Sequence, residues 1–561
     1  MKQLIECVPN FSEGRNMEVI KQITDQIESV TGIRLLDVDP GKATNRTVVT
    51  FVGEPEAVVE AAFKAIAKAA ELIDMRKHSG EHARMGATDV CPLIPVANIS
   101  MDETVQYAKK LAQKVGEQLR IPVYLYEAAA SKPERRNLAT IRSGEYEGLP
   151  KKLQDPNWQP DFGPASFHAG AGATVIGARD FLVAYNINLN TKSTRLANAI
   201  AFDVREAGRI KRNGHPVLGE VVTDEQGEPI RIPGTLKSVK AVGWYIEEYG
   251  FAQISMNLTN INITSVHAAF DEVVRAAEAR GVRVTGSELV GLIPLRCMIE
   301  AGKHYLTKMG RSTGVSQAEI IETAIRSMGL NELGPFDPQK KIIEYLIADP
   351  AHQKLVNMTL QAFADETASE SPAPGGGSIA AYAGALGASL GSMVANLSAG
   401  KRGWEERTAY FSEMADRFQE LKAALMYKVD EDTRAFDAIM QAFALPKTTT
   451  EEKQARTAAI QAATKVAIEV PLHTMELAVA CFEPLRAMIE QGNPNSVTDA
   501  AVGVLCARAA AYGAWLNVKV NLSGFKEVEF AESVMEKANE LLSLAEQQEA
   551  ELLALTREHL N

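Results

Sequence analysis

Two places in the sequence carry side chains whose types and spacing suit proton-transfer chemistry. The first is His78-Ser-Gly-Glu81-His82-Ala-Arg84, followed closely by Asp89. Three uses fit His78-x-x-Glu81-His82. A zinc hydrolase would need both histidines on one face of a regular helix, and Gly80 between them works against such a helix. Two solvated loop histidines are a purely structural reading. A loop histidine acting as general base near neutral pH is the third. The second place is Asp432. Phe411, Met414, Phe418, Leu421, Leu425, Val429, Phe436, Ile439 and Phe443 step by threes and fours along one helical face, and the stripe's one non-apolar position is 432. Asp430 turns to a different face and is expected to matter less. A carboxylate on a core-facing stripe is costly unless paired, and burial raises its pKa. A proton donor near neutral pH requires that shift. An ion pair with Lys or Arg of another helix fits the spacing equally well.

Weaker signals surround these two. Gly163, Pro164, Ala165, Ser166, Phe167, His168, Ala169, Gly170, Ala171 and Gly172 form a glycine-rich run without dinucleotide or Walker spacing. Its backbone amides can approach an anion or a flat ring closely. Ser371-Pro-Ala-Pro-Gly-Gly-Gly-Ser378 is either linker punctuation or a helix start offering free amides to an anion, and Asn493–Asp499 is a second such start. Asn10, Glu13, Asp37, Asp39, Asn45 and Arg46 stand near strand ends and read as turn residues before ligand contacts.

The elements that must position these residues change class along the chain. Up to about residue 330, β-type runs (Leu4–Val8, Ile33–Val38, Thr47–Val52, Asp89–Val96, Val123–Tyr126) alternate with amphipathic helices (Met17–Val30, Glu54–Leu72, Asp102–Leu119). The pattern restarts with a strand at Asp180–Asn190, a helix at Thr194–Ala207 and a hairpin across Glu247–Phe251. Residues 209–233 read as a surface loop or flap. After about residue 355 strand signals stop, and helices are expected at 377–397, 404–445, 451–470, 472–490, 498–522 and 525–559, with Thr449 and Glu452 forming a capping box. The expected architecture is two α/β subdomains with mixed sheets (1–178 and 179–330), a connector (331–355) and an all-α bundle (356–561).

Composition narrows the function classes. The chain has 561 residues, 46% hydrophobic and 23% charged, with net charge −12. Coating nucleic acid needs a concentrated basic face, so no nucleic-acid partner is expected. The uncharged stretch from Ser371 to Gly400 is dominated by Gly, Ala and Ser, so a buried soluble helix is expected, with no membrane partner. Five scattered cysteines without C-x-x-C, and an N-terminus without the apolar core of a signal peptide, point to a reducing cytoplasm.

Longer strings add a resemblance. Glu6-Cys-Val-Pro-Asn-Phe-Ser-Glu-Gly14, His78–Pro92 and Lys240-Ala-Val-Gly-Trp-Tyr245 resemble the glutamate formimidoyltransferases. Ala373-Pro-Gly-Gly-Gly-Ser378, Val429-Asp-Glu-Asp432 and Gly492–Asp499 resemble the formimidoyltetrahydrofolate cyclodeaminases. Their order is that of the bifunctional family of histidine degradation. The resemblance implies transfer of a formimino group from N-formimino-L-glutamate to N5 of tetrahydrofolate, then ring closure through N10 to 5,10-methenyltetrahydrofolate with release of ammonia. It implies no tightly bound cofactor and no metal, with tetrahydrofolate (as polyglutamate) the co-substrate. It further implies His82 as transferase acid–base, Asp432 as cyclodeaminase acid–base, folate contacts in 163–172 and at Gly234, Thr235 and Leu236, and self-association through both domain types. A zinc hydrolase on His78, Glu81 and His82, or a non-catalytic folate-binding scaffold, are the competing readings.

Overall fold

The computed structural model describes residues 3–42, 44–80, 83–214, 219–348 and 353–560. The chain divides into two units. One comprises residues 1–297 with 328–347, the other 298–327 with 348–561.

The first unit opens with β1 (Leu4–Cys7), β2 (Asn10–Phe11), α1 (Met17–Glu28), β3 (Ile33–Gly41), β4 (Arg46–Gly53), α2 (Pro55–Leu72), β5 (Thr88–Ala97), α3 (Met101–Lys114), β6 (Val123–Glu127), α4 (Leu138–Arg142), α5 (Glu145–Lys152) and β7 (Thr174–Ala178). β1 and β2 are one line interrupted near Pro9; both pair antiparallel with β4 on one side and β5 on the other. β5 and β6 flank β7 in parallel, so the seven-stranded sheet is mixed. Its core joins Ile5, Cys7, Phe51 and Leu93 from strands to Ile23, Ile27, Val58 and Ile66 from helices. The apolar side chains sit at alternate strand positions and on one face of each helix, which builds a two-layer α/β body.

A second layer follows: β8 (Val183–Leu189), α6 (Thr194–Val204), the short pairs β9 (Arg209–Ile210), β10 (Arg212–Asn213), β11 (Glu220–Val221) and β12 (Arg231–Ile232), then β13 (Val239–Ile246), β14 (Phe251–Leu258), α7 (Val266–Glu278) and β15 (Val284–Val290). The sheet order is β13-β14-β8-β15 and every pairing is antiparallel, with Ile246 opposite Phe251 closing the expected hairpin. The expected flap at 209–233 is tied by two small ladders, β9 with β12 and β10 with β11. α8 (Leu295–Lys308), α9 (Gln317–Met328), α10 (Pro338–Lys341) and α11 (Ile343–Ile347) complete the region.

The second unit is helical: α12 (Leu360–Thr367), α13 (Gly376–Ala399), α14 (Thr408–Ala444), α15 (Thr450–Ala480), α16 (Phe482–Gln491), α17 (Val497–Asn521) and α18 (Val528–Leu560). The capping box forms as expected: Glu452 N donates to Thr449 Oγ1 at 3.1 Å, and Thr449 N to the Glu452 carboxylate at 3.0 Å. The expected break at Pro471 is absent. α15 runs through it, and the chain breaks at Cys481, just before Pro484. Pro484 lies in the first turn of α16, where a missing N–H costs nothing, so that proline marks the boundary. Residues 298–327 also pack in this unit. Thr313 Oγ1 donates to Asp416 at 2.7 Å, Lys303 pairs with the same carboxylate at 2.9 Å, and the Gly314 carbonyl accepts from Asn396 at 2.8 Å and Gln419 at 3.1 Å.

α13 holds the small-residue stretch. Its glycines let neighbouring helices approach. A Cβ on Gly391 would strike the Phe418 ring, and one on Gly387 would crowd Gly503 of α17. α13 and the stretch Pro494–Asn521 are long and apolar enough to cross a membrane by length and composition; 61% and 44% of them, respectively, are buried within the helical unit.

Candidate functional sites in the two units

His82 and Glu81 lie outside the described residues, but the frame around them is defined. His78 has both ring nitrogens engaged. Nε2 lies 2.9 Å from the Asn45 carbonyl, and Nδ1 accepts from Arg84 Nε at 3.3 Å. That pattern requires a neutral ring with its proton on Nε2, leaving His78 no lone pair for a metal. Arg84 continues into Glu145 (2.9 Å) and Glu147 (2.7 Å). Asn45, in the left-handed region at φ 48°, accepts from Gly14 N (3.1 Å) and donates to the Ser79 carbonyl (2.9 Å). It is therefore the turn residue expected, as is Glu13, whose carboxylate takes the amides of Arg15 (2.7 Å) and Asn16 (2.8 Å).

The glycine-rich run comes to the same place. Met75 N donates to the Gly170 carbonyl (2.9 Å), Ala87 N to that of Ala171 (2.9 Å) and Tyr146 Oη to that of Ala169 (2.6 Å). Gly172 has φ 69°, and a Cβ there would collide with the Met85 carbonyl. His168 Nδ1 accepts from Ala171 N at 3.0 Å, so this histidine shapes the loop. Gly163, Ala165, Ser166 and Phe167 stay exposed, the Phe167 ring 5.3 Å from Tyr146. Thus Met75, Met85 and Ala87 are tied to the run 170–173 by backbone hydrogen bonds.

Gly234, Thr235 and Leu236 lie elsewhere in the unit. Thr235 N and Leu236 N donate to Asp203 and Val204 at the end of α6, both at 2.9 Å. Thr235 borders a cavity of about 240 Å³ rimmed by Arg209, Arg275 and Arg280, with Asp203 paired to both Arg209 and Arg280. No spacing signal marks this cluster in the sequence, because its members come from three separate elements.

Beneath these loops the first unit buries several charges. Asp89 accepts from Met85 N at 2.9 Å and pairs with Arg142. Burial pulls Arg46 down to about 10, with Asp89 opposing that fall. Glu6 is buried, and desolvation pushes its carboxyl up to about 7 although Arg179 favours the charged form.

In the helical unit, Asp432 meets the start of α13. Gly375, the residue before this helix, supplies no side-chain cap. Asp432 Oδ2 fills that role from another helix, accepting from Ser378 N at 2.9 Å and Ser378 Oγ at 3.2 Å. Ser378 Oγ also reaches the Val429 carbonyl at 2.8 Å. Gly377 must be glycine, because a Cβ would collide with the Asp432 carboxylate. At Ser371–Ser378 the chain enters α13 at Gly376, and one amide of its first turn, Ser378 N, is taken by the Asp432 carboxyl. Asp432's partners are neutral, not the lysine or arginine of the competing reading. Burial raises its pKa, against the lowering effect of the two Ser378 bonds.

Three sequence expectations fare differently. Asp430 is buried and accepts from Leu355 N (2.8 Å) and Val356 N (3.1 Å), so it fastens the segment before α12. Beyond Val429 the stripe is covered in part: Ile439 packs against Ala435, Ala467 and Val470, whereas Phe436 and Phe443 are exposed within the single chain. Asn493, whose amide donates to Ser398 Oγ at 2.8 Å, sits at the opposite end of α13, about 30 Å along the helix from Ser378.

Similarity to known proteins matches this division. Residues 4–179 match the formiminotransferase domain, N-terminal subdomain; 184–348 the formiminotransferase domain; and 359–540 the formiminotransferase-cyclodeaminase family. The formimidoyltransferase-cyclodeaminase of Rattus norvegicus is 43% identical over 554 residues, covering 99% of this chain and 98% of that one. That of Gallus gallus is 44% identical over 556 residues, covering 99% of each. The glutamate formimidoyltransferase of Streptococcus pyogenes serotype M1 is 40% identical over 306 residues, 54% of this chain and 94% of its own. With an α/β half that matches a free-standing transferase and a helical half that matches the formiminotransferase-cyclodeaminase family, the chain belongs to the formimidoyltransferase-cyclodeaminase family, the bifunctional enzymes of folate-dependent histidine degradation.

Proposed function

We propose that Asp432 is the proton shuttle of the cyclodeaminase step. The observation that carries this reading is a half-buried carboxyl whose pKa desolvation raises and whose hydrogen-bond partner, Ser378, is neutral. In 5-formiminotetrahydrofolate, N10 attacks the amidinium carbon and a C–N10 bond forms. Asp432 takes the N10 proton and returns it to the amidine nitrogen. The C–N bond to that nitrogen then breaks, releasing ammonia and leaving the 5,10-methenyl cation. A carboxyl whose pKa is raised by desolvation is better placed to give and take the proton in both transfers. Supplied 5-formiminotetrahydrofolate tests this: Asp432→Asn should abolish ammonia release while the transferase rate persists.

For the first reaction, His82 is the acid–base. N5 of tetrahydrofolate attacks the formimino carbon, His82 takes the N5 proton and passes it to the glutamate nitrogen, and the C–N bond to glutamate breaks. The bonds that tie Met75, Met85 and Ala87, which bracket His82 in sequence, to the glycine-rich run support this reading, as does the Phe167 ring exposed on that run. The arginine-rimmed cavity by Thr235 supports recognition of an acidic folate tail. His82→Ala should lose transfer and keep ammonia release on supplied intermediate.

Self-association is part of the same reading. Ile379, Leu386, Met393 and Leu397 expose one side of α13, and Val502, Leu505, Tyr512 and Leu516 expose one side of α17 against which it packs. Such a continuous apolar face on a soluble helical unit suits a second copy of this chain. In the α/β half, Val242 and Trp244 are exposed on the outer strand β13. Sedimentation of Leu386→Glu should show a smaller species than the parent chain. A cytoplasmic location agrees with five free cysteines, four of them buried.

A further inference from the structure

Beside Asp432 the helical unit holds an apolar groove that the proton transfers leave unused. Its walls include Leu360 and Phe363 of α12, Tyr382 of α13, and Met426 and Val429 of α14, and it encloses about 70 Å³. The Phe363 and Tyr382 rings stand 5.5 Å apart, tilted by 58°. α12 is loosely seated: none of its residues is fully buried, and Leu360 is 75% exposed at the groove's mouth.

The groove and the carboxyl share two helices. Tyr382 follows Ser378 by four residues on α13, and Val429 precedes Asp432 by three on α14, so one helical turn separates them on each. Ser378 fixes the junction through its bonds to the Val429 carbonyl and to Asp432. The substrate's own chemistry supplies the next step. N10 is bonded directly to an aryl ring, so any carboxyl that serves N10 has that ring within a few ångströms. The slot is lined by apolar side chains and flanked by two aromatic rings, which suits an aryl ring.

We propose that the Phe363–Tyr382 groove receives the p-aminobenzoyl ring of 5-formiminotetrahydrofolate. This rests on the reading of Asp432 as the shuttle for N10. Tilted ring contacts hold the aryl group, and the open mouth at Leu360 lets the substrate's acidic tail run to solvent.

The test uses the full chain with 5-formiminotetrahydrofolate supplied and ammonia release followed. Tyr382→Ala and Phe363→Ala should each raise KM about tenfold with kcat nearly unchanged, and Tyr382→Phe should keep the parent KM. If either alanine variant unfolds, Phe363→Leu retains an apolar wall without the ring and should still raise KM. Asp432→Asn runs in the same assay. If it is inactive while the ring variants keep the parent KM, or lose kcat alone, the groove proposal is overturned and the shuttle stands. If Asp432→Asn remains active, the shuttle reading falls, and a raised KM in the ring variants still reports a ring-binding groove.

Discussion

In the α/β half, several buried charges are answered by charge. Asp89 sits on Arg142, Arg135 on Asp161 at 2.7 Å, and Arg84 bridges two glutamates. The residues around His82 hang on glycine-rich loops, held by backbone carbonyls of neighbouring loops. In the helical half, Asp432 is carried within a 37-residue helix and answered by one serine's amide and hydroxyl. Compensated pairs keep both groups ionised, and breaking one is expensive. At Asp432 desolvation raises the pKa against the lowering effect of the Ser378 bonds, which suits proton exchange. Its neighbour Asp430, buried deeper, instead holds the segment before α12 through two backbone amides.

The most direct way to break that comparison is to remove each proposed acid–base group. Asp432→Asn should lower ammonia release by about 10²–10⁴-fold, the usual worth of a positioned acid–base. Its amide oxygen still accepts from Ser378 N, so the melting temperature should hardly move. His82→Ala should lower transfer by a similar factor with ammonia release intact. Equal damage to both reactions from either variant would mean that the two sites do not act separately. The raised pKa of Asp432 gives a pH signature as well. Its protonated form persists above the ordinary carboxyl range, so acid-assisted departure of ammonia should fade on the alkaline side, and that limb should vanish from any residual Asp432→Asn activity.

A smaller effect is expected from backbone space. Gly377→Ala puts a Cβ where the Asp432 carboxylate lies and should cut ammonia release by about 10–100-fold, a misplacement cost. Gly172→Ala meets the Met85 carbonyl at positive φ and should instead destabilise the glycine-rich run, by about 1–3 kcal/mol, with transfer falling in proportion. An unchanged kcat in Gly377→Ala would show that Asp432 need not stay on the α13 start.

The helical half was the more legible in sequence. Period and caps marked its helices, and one Asp in an apolar stripe marked its carboxyl, because a helix converts spacing directly into a face. The sequence misled at Pro471, where packing carried a helix past a proline, and at Phe436 and Phe443, whose stripe continues beyond what one chain covers. The partner of Asp432 is not readable from spacing, since Ser378 is 54 residues away. In the α/β half β7 and β15 went unseen. β7 is five residues of small and branched side chains buried on both faces, with no alternation to read. His78 and His82 look alike in sequence; only the Asn45 carbonyl and Arg84 mark His78 as a structural residue.

Buried Glu6 sharpens the contrast through pH. Its folded pKa of about 7 lies above the ordinary 4.5, so the folded state binds its proton more tightly than the unfolded chain. Stability from this group is full below about pH 4.5 and is lost as pH rises through about 7, a difference on the order of 3 kcal/mol. Glu6→Gln should therefore be more stable than the parent at pH 8 and no more stable at pH 4. Denaturant midpoints at the two pH values check this. A parent stability independent of pH over that interval would mean that Arg179 compensates Glu6 as fully as Arg142 does Asp89.

The smallest expected effect separates the two aspartates of α14. Asp430 accepts two amides, one on each carboxylate oxygen. Asn at that position keeps one acceptor and turns an NH₂ donor toward the other N–H. One bond is lost and two donors face each other, which costs about 1–3 kcal/mol. Asp430→Asn should thus lower the melting temperature and loosen the segment 355–358, raising KM for 5-formiminotetrahydrofolate a little while kcat holds. Asp432→Asn should show the opposite pattern, with kcat lost and stability kept. If ammonia release fails in Asp430→Asn with stability unchanged, the chemistry belongs to 430, and a carboxyl bound by backbone amides would then be the working acid.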